Sequence, residues 1–109
     1  LTEHVGDKKI SSYGETHMTD EEIYTKDINW INESDVIIAE VTSVSLGVGY
    51  ELGYGETKNK PIICLYRPQE GKRLSAMLAG NKKFEIIEYK TIDDVMPKIE
   101  SALQKLKLA

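Results

Sequence analysis

The chain has 109 residues, 40% hydrophobic and 29% charged, the balance of one ordinary globular domain, which excludes two domains and wholesale disorder. Its 14 Lys+Arg against 18 Asp+Glu give a formal charge of −4, leaving no broad basic face for a nucleic-acid polymer. The single cysteine, Cys64, forbids an internal disulfide or a cysteine metal cluster and points to a reducing compartment, by default the cytosol, and the longest strictly aliphatic run, Val36–Ala39, is far short of the roughly 18 residues that cross a bilayer.

In chain order, Leu1–Val5 reads as a strand and the polar stretch from Gly6 through Ser11, Gly14 and His17 as a loop. Thr19 followed three residues later by Glu22 has the capping-box spacing and predicts a helix running to about Glu33, with Ile23, Tyr24, Ile28, Trp30 and Ile31 on its apolar side. Val36–Ala39 is short, β-branched and apolar on both faces, as a strand covered from both sides must be. Thr42–Gly49 then reads as a glycine-bearing loop and Tyr50–Lys58 as a helix. Pro61–Tyr66 is a second buried strand with proline at its permitted first position. Arg67–Lys72 is a loop, Leu74–Leu78 a short helix and Phe84–Tyr89 a further strand. Thr91–Leu106 closes the chain as a helix whose Val95, Ile99, Ala102, Leu103 and Leu106 recur at helical spacing.

Strands and helices alternating over short connections imply a single α/β domain over residues 1–109, with a mostly parallel sheet and helices on both faces. In such sheets ligands bind beyond the carboxyl ends of the strands, here the loops after Val5, Val41 and Tyr66.

Three features carry chemistry. Asp27 falls inside the apolar sector of the first helix, between Ile23 and Ile31 on a helical wheel. A carboxylate there needs a partner or a raised pKa, so it is either a satisfied structural aspartate or a functional one. Ser45–Gly53 follows a buried strand and enters a helix, the setting of a phosphate-binding loop, although Gly47, Gly49 and Gly53 miss the dinucleotide fingerprint by one residue. On this reading Glu51 lies in the helix's first turn, where the macrodipole favours an ionised carboxylate by about 0.3–1 kcal/mol. Alone that is favourable electrostatics. Paired with Asp27 it suggests two carboxylates in different environments, which glycosidic cleavage requires. The third feature, Arg67–Met77, joins Arg67, Lys72 and Arg73 to Ser75 at a short helix's start, and Ser75 is the better phosphate candidate. His4 and His17 sit in no metal-ligand spacing, so no metal is assigned. Cys64 reads as an inert core thiol, and Glu40 as a hydrogen-bonded structural residue.

The segments Leu1–Val5, Asp27–Trp30, Ser34–Thr42, Ser45–Gly53, Lys60–Gln69 and Leu74–Met77 resemble, in order and over nearly the whole chain, the Rcl family. Its members are 2′-deoxynucleoside 5′-phosphate N-hydrolases, relatives of the nucleoside 2-deoxyribosyltransferases. The resemblance implies a flavodoxin- or Rossmann-like fold and cleavage of a deoxynucleoside 5′-monophosphate to free base and 2-deoxyribose 5-phosphate. It implies no cofactor. Glu51 matches the family's nucleophile, which forms a covalent deoxyribosyl intermediate, and Asp27 its second catalytic carboxylate. Ser45 with the Gly47 backbone matches a phosphate contact. Ser75, with Met77 close by, matches one supplied by the neighbouring subunit of a homodimer, and His4 matches a pocket position.

The family also opens with a strand and a glycine-rich phosphate loop that this sequence does not contain, and Leu1 is not a translation start. The expectation is that a first βα unit is lacking, that its strand belongs between Leu1–Val5 and Asp35–Val41, and that the natural polypeptide is longer, this chain alone being unstable or inactive. Two rival readings remain at this stage: deoxyribosyl transfer between bases, and a non-catalytic nucleotide-binding or interaction module.

Overall fold

A computed structural model describes residues 2–4 and 17–107. The elements in order are β1 (Thr2–His4), α1 (Asp20–Glu33), β2 (Ile37–Glu40), α2 (Leu46–Thr57), β3 (Ile62–Tyr66), α3 (Ala76–Ala79), β4 (Phe84–Glu88) and α4 (Ile92–Lys105).

The helix starts follow from local chemistry. At α1 the Thr19 hydroxyl accepts from the Glu22 N–H at 3.1 Å while the Glu22 carboxylate accepts from the Thr19 N–H at 2.8 Å, so the capping box forms and two otherwise orphaned donors are satisfied. Thr91 caps α4 in the same way, accepting from the Asp94 N–H at 3.1 Å, and the Asp94 carboxylate accepts from Lys90 N–H at 2.7 Å.

The sheet order is β1-β2-β3-β4, with β2, β3 and β4 mutually parallel. Strand β1 departs from expectation. It pairs directly with β2 and runs antiparallel to it, Thr2 opposite Ala39 and His4 opposite Ile37, where the sequence implied an intervening strand. An open edge of β2 presents unpaired N–H and C=O groups, and the extended Thr2–His4 segment satisfies them. The polar loop after β1, together with Leu1 and Val5, lies outside the described residues.

Alternation along β2 and β3 splits the interior into two cores. Ile37, Ala39, Ile62, Cys64, Tyr66 and Phe84 face Ile31 of α1 and Leu52 of α2, while Val36, Ile63, Ile87 and Tyr89 face Val95 and Ala102 of α4. The sheet is therefore covered on both faces, as its doubly apolar strands require. Burial pushes the Cys64 thiol up to about 11, which makes it a core side chain with no reactive role.

Helix α2 approaches the sheet most closely at Gly55. A side-chain methyl there would run into Ile37 Cδ1 and touch Ile62 Cδ1 at 3.6 Å and Ile31 Cγ2 at 3.8 Å. Only glycine allows this spacing of helix and strand.

Candidate active site

Helix α2 begins at Leu46, four residues before the Tyr50 start expected from the sequence. Ser45 is its N-cap, its hydroxyl accepting from Val48 N–H at 3.2 Å, and Gly49 N–H already bonds back to the Ser45 carbonyl at 3.1 Å. The glycines that looked like a loop are helical, and a Cβ at Gly47, Gly49 or Gly53 would meet nothing within 4 Å. Glu51 is consequently the sixth helical residue, in the second turn. There it lies beyond the reach of the helix macrodipole, which fades after the first turn. The N–H groups of Leu46 and Gly47 now occupy the helix start, ahead of the first intrahelical bond.

A cleft of about 480 Å³ opens beyond the carboxyl ends of β2 and β3. One wall is the turn and first helical residues from Val41 to Tyr50, and the other runs from Tyr66 through Arg73, Leu74 and Ser75 to Leu78. The floor is apolar, and Ser45 and Ser75 place hydroxyls on opposite walls. Each hydroxyl oxygen accepts a backbone N–H at 3.2 Å, from Val48 and Met77 respectively, which leaves each O–H as a donor toward a bound anion. Met77 also lines the cleft.

The two carboxylates are carried by a packed helix pair and do not themselves line the cleft. Tyr24 and Tyr50 meet edge to face with ring centroids 6.4 Å apart, and the Tyr54 hydroxyl donates to Asn32 Oδ1 at 2.9 Å. Asp27 on α1 and Glu51 on α2 fall between these two contacts, so they occupy the same stretch of the pair, and both are half-buried. Asp27 is less enclosed than its helical-wheel position implied. Ile31 is the only apolar residue of α1 that is fully buried, with Ile23, Ile28 and Trp30 half-buried and Tyr24 exposed, because the described contacts hold α1 by its last turns. There Lys60 Nζ donates to the Asn32 and Ser34 carbonyls at 2.9 and 2.8 Å.

Four predicted residues, Asp27, Glu51, Gly47 and His4, are not among those lining the cleft walls. Gly47 sits one residue behind them on α2. His4 lies opposite Ile37, the first residue of β2, at the far end of the sheet from the cleft, because β1 runs antiparallel. Arg67, expected from the sequence only as part of a basic loop, joins Thr42 and Tyr89, whose roles the sequence did not signal, in bonding around Glu40; no local motif signals residues 49 positions apart. Among the described residues no three His, Cys, Asp or Glu side chains are grouped to hold a metal, and no helix is long and apolar enough to cross a membrane.

Fold and site together define an α/β domain with a small-ligand cleft at the carboxyl ends of its parallel strands. Residues 2–97 match the family model described as nucleoside 2-deoxyribosyltransferase. The chain belongs to the nucleoside 2-deoxyribosyltransferase family. A Nematostella vectensis relative bearing a 2′-deoxynucleoside 5′-phosphate N-hydrolase name is 53% identical over 98 residues, covering 85% of this chain and 66% of its own. The 5-hydroxymethyl-dUMP N-hydrolase of Rattus norvegicus is 47% identical over 93 residues, 82% of this chain and 57% of that protein. That of Danio rerio is 46% identical over 109 residues, 97% of this chain and 76% of that protein. The chain thus spans less than two thirds of the length of the first two relatives. The structure of the Clostridium botulinum CMP N-glycosidase BcmB superposes with a TM-score of 0.66 over 81% of this chain and 74% of that one, at 23% identity, a likeness of fold.

Proposed function

We propose that this domain hydrolyses the N-glycosidic bond of 2′-deoxynucleoside 5′-monophosphates. The observation that carries the reading is the cleft at the carboxyl ends of β2 and β3, with Ser45 on the wall that opens α2 and Ser75 on the other, in a chain whose relatives bear N-hydrolase names. The Ser45 hydroxyl and the N–H groups at the start of α2, Gly47 among them, joined by Ser75 of a second copy, suit a 5′-phosphate. The apolar floor suits a sugar and base.

In the reaction the Glu51 carboxylate attacks C1′ and the C1′–N bond breaks, its electron pair leaving with the base. Asp27 assists protonation of that leaving nitrogen. The resulting glycosyl ester is opened by water, which releases 2-deoxyribose 5-phosphate and regenerates the carboxylate. Glu51→Ala removes the attacking group without touching the cleft walls. Base release should fall at least about a thousandfold while nucleotide binding persists. An unchanged rate in that variant overturns the covalent route. Transfer of the sugar to an added base in preference to water would make the enzyme a transferase.

The same proposal has two copies pairing, Ser75 and Met77 of each completing the site of the other. Supporting it, Val44, Leu46 and Met77 at the cleft are 104%, 91% and 81% exposed, more large apolar surface than a rim facing water ordinarily carries. Sedimentation of wild type and Met77→Glu tests the pairing: a dimer that dissociates in the variant supports it, and a wild-type monomer removes it.

A further inference from the structure

The cleft walls are linked at their base by side chains the proposed chemistry does not use. The parallel ladder of β2 and β3 ends with Val41 N–H donating to the Leu65 carbonyl at 2.9 Å, after which the two chains part to form the walls. One more rung follows, made by a side chain: Arg67 N–H donates to Thr42 Oγ1 at 2.9 Å. Thr42 Oγ1 in turn donates to Glu40 Oε2 at 2.7 Å, and Thr42 N–H donates to Glu40 Oε1 at 2.8 Å. The Tyr89 hydroxyl, just past β4, donates to Glu40 Oε2 as well, and the Arg67 guanidinium lies 5.4 Å from the centre of the Tyr89 ring.

The Thr42 hydroxyl therefore gives its proton to a carboxylate while its oxygen takes a main-chain N–H, so its orientation is fixed from both sides. Thr42 belongs to the wall that carries Ser45, and Arg67 opens the segment that leads to Ser75. We infer that Glu40, acting through Thr42, is a positioning residue that fixes the wall carrying Ser45 against the segment that leads to Ser75. This rests on the function proposed above, since only a phosphate held at Ser45 and the start of α2 makes the placement of that wall matter. Glu40 itself is not among the residues lining the cleft.

The test uses the full natural polypeptide with Thr42→Val, which keeps the shape and removes both hydroxyl bonds, Thr42→Ser, which restores the hydroxyl, and Glu40→Gln. Two readouts are compared: amide hydrogen exchange along residues 43–49 and 67–75, and KM against kcat for 5-hydroxymethyl-dUMP. Thr42→Val and Glu40→Gln should each speed exchange in both walls and raise KM about tenfold, the equivalent of ~1.4 kcal/mol, with kcat within about threefold. Thr42→Ser should return both to wild type. Unchanged exchange overturns the link between the walls, and faster exchange with unchanged KM overturns the positioning role. Wild type that releases no base defeats the function proposed above instead. The affinity of each variant for inorganic phosphate then replaces KM, and wild type that binds no phosphate removes the positioning role too.

Discussion

Replacing Gly55 by alanine tests how closely α2 must sit on the sheet for Glu51, one turn earlier on the same helix, to be placed. In an unobstructed helix the change stabilises by about 1 kcal/mol, because glycine is the poorer helix former. Here the new methyl would run into Ile37 Cδ1, with Ile62 Cδ1 and Ile31 Cγ2 already in contact range. Ile31 and Ile37 have no exposed surface and Ile62 only 3%, so the displaced methyl cannot swing into solvent. Overpacking of this kind costs about 1–3 kcal/mol, and the net expectation is a destabilisation of about 1 kcal/mol together with loss of base release. Ile37→Val alone deletes the obstructing methyl and costs about 0.5–1.5 kcal/mol through the small cavity it leaves. In the double variant the obstruction is gone and the helix gain remains, so Gly55→Ala with Ile37→Val should be about 1 kcal/mol more stable than Ile37→Val alone. Urea unfolding of the four proteins gives the coupling directly, expected at about 1–2 kcal/mol. Additive effects, or a Gly55→Ala variant more stable than wild type, would refute the close-approach argument.

Two other expectations concern titratable groups. Cys64 is fully buried with its thiol pushed up to about 11, so a thiol reagent should label it only after unfolding. Because the folded value lies above the unfolded one, Cys64 contributes stability below the unfolded thiol pKa, and that contribution is lost as pH rises toward 11. Cys64→Ala should remove this part of the alkaline decline, and rapid labelling of the native protein would contradict the burial. For Glu40, burial would push the carboxyl up, but the bonds from Tyr89 and Thr42 outweigh it and hold the group below its ordinary value. Its contribution is therefore present above the unfolded carboxyl pKa and lost as pH falls through the folded one. The stability gap between wild type and Glu40→Gln, read from urea midpoints, should shrink on acidification. A gap independent of pH would show that the carboxylate's charge is not what holds the cluster.

What was legible in the sequence was local. Thr19 and Glu22 announced α1, the doubly apolar Ile62–Tyr66 announced a covered strand, and the apolar spacing of Val95, Ile99 and Ala102 announced α4. The start of α2 was hidden because glycines in open space are permitted in a helix whose cap is good, and Ser45 caps without the glutamate three residues on that made Thr19 conspicuous. The antiparallel pairing of β1 was hidden for a different reason. Direction and neighbour are set by which sheet edge is open, and an isolated strand segment contains no record of that. Glu40 read correctly as a hydrogen-bonded residue, but its partner Tyr89 lies 49 positions away and is brought there only by the β2–β3–β4 register. Of the site, Ser45, Ser75 and Met77 line one cleft, Ser75 being singled out by its place near a short helix and Ser45 and Met77 by resemblance, whereas His4, also placed by resemblance, lies at the opposite end of the sheet.

The most direct measurement is intact-protein mass spectrometry of the natural polypeptide, quenched in acid after brief exposure to 5-hydroxymethyl-dUMP. The account predicts a transient mass increase equal to one deoxyribosyl phosphate, mapped by peptide fragmentation to Glu51 and absent from Glu51→Ala. Base release with no adduct at any quench time, or an adduct on another residue, would contradict it.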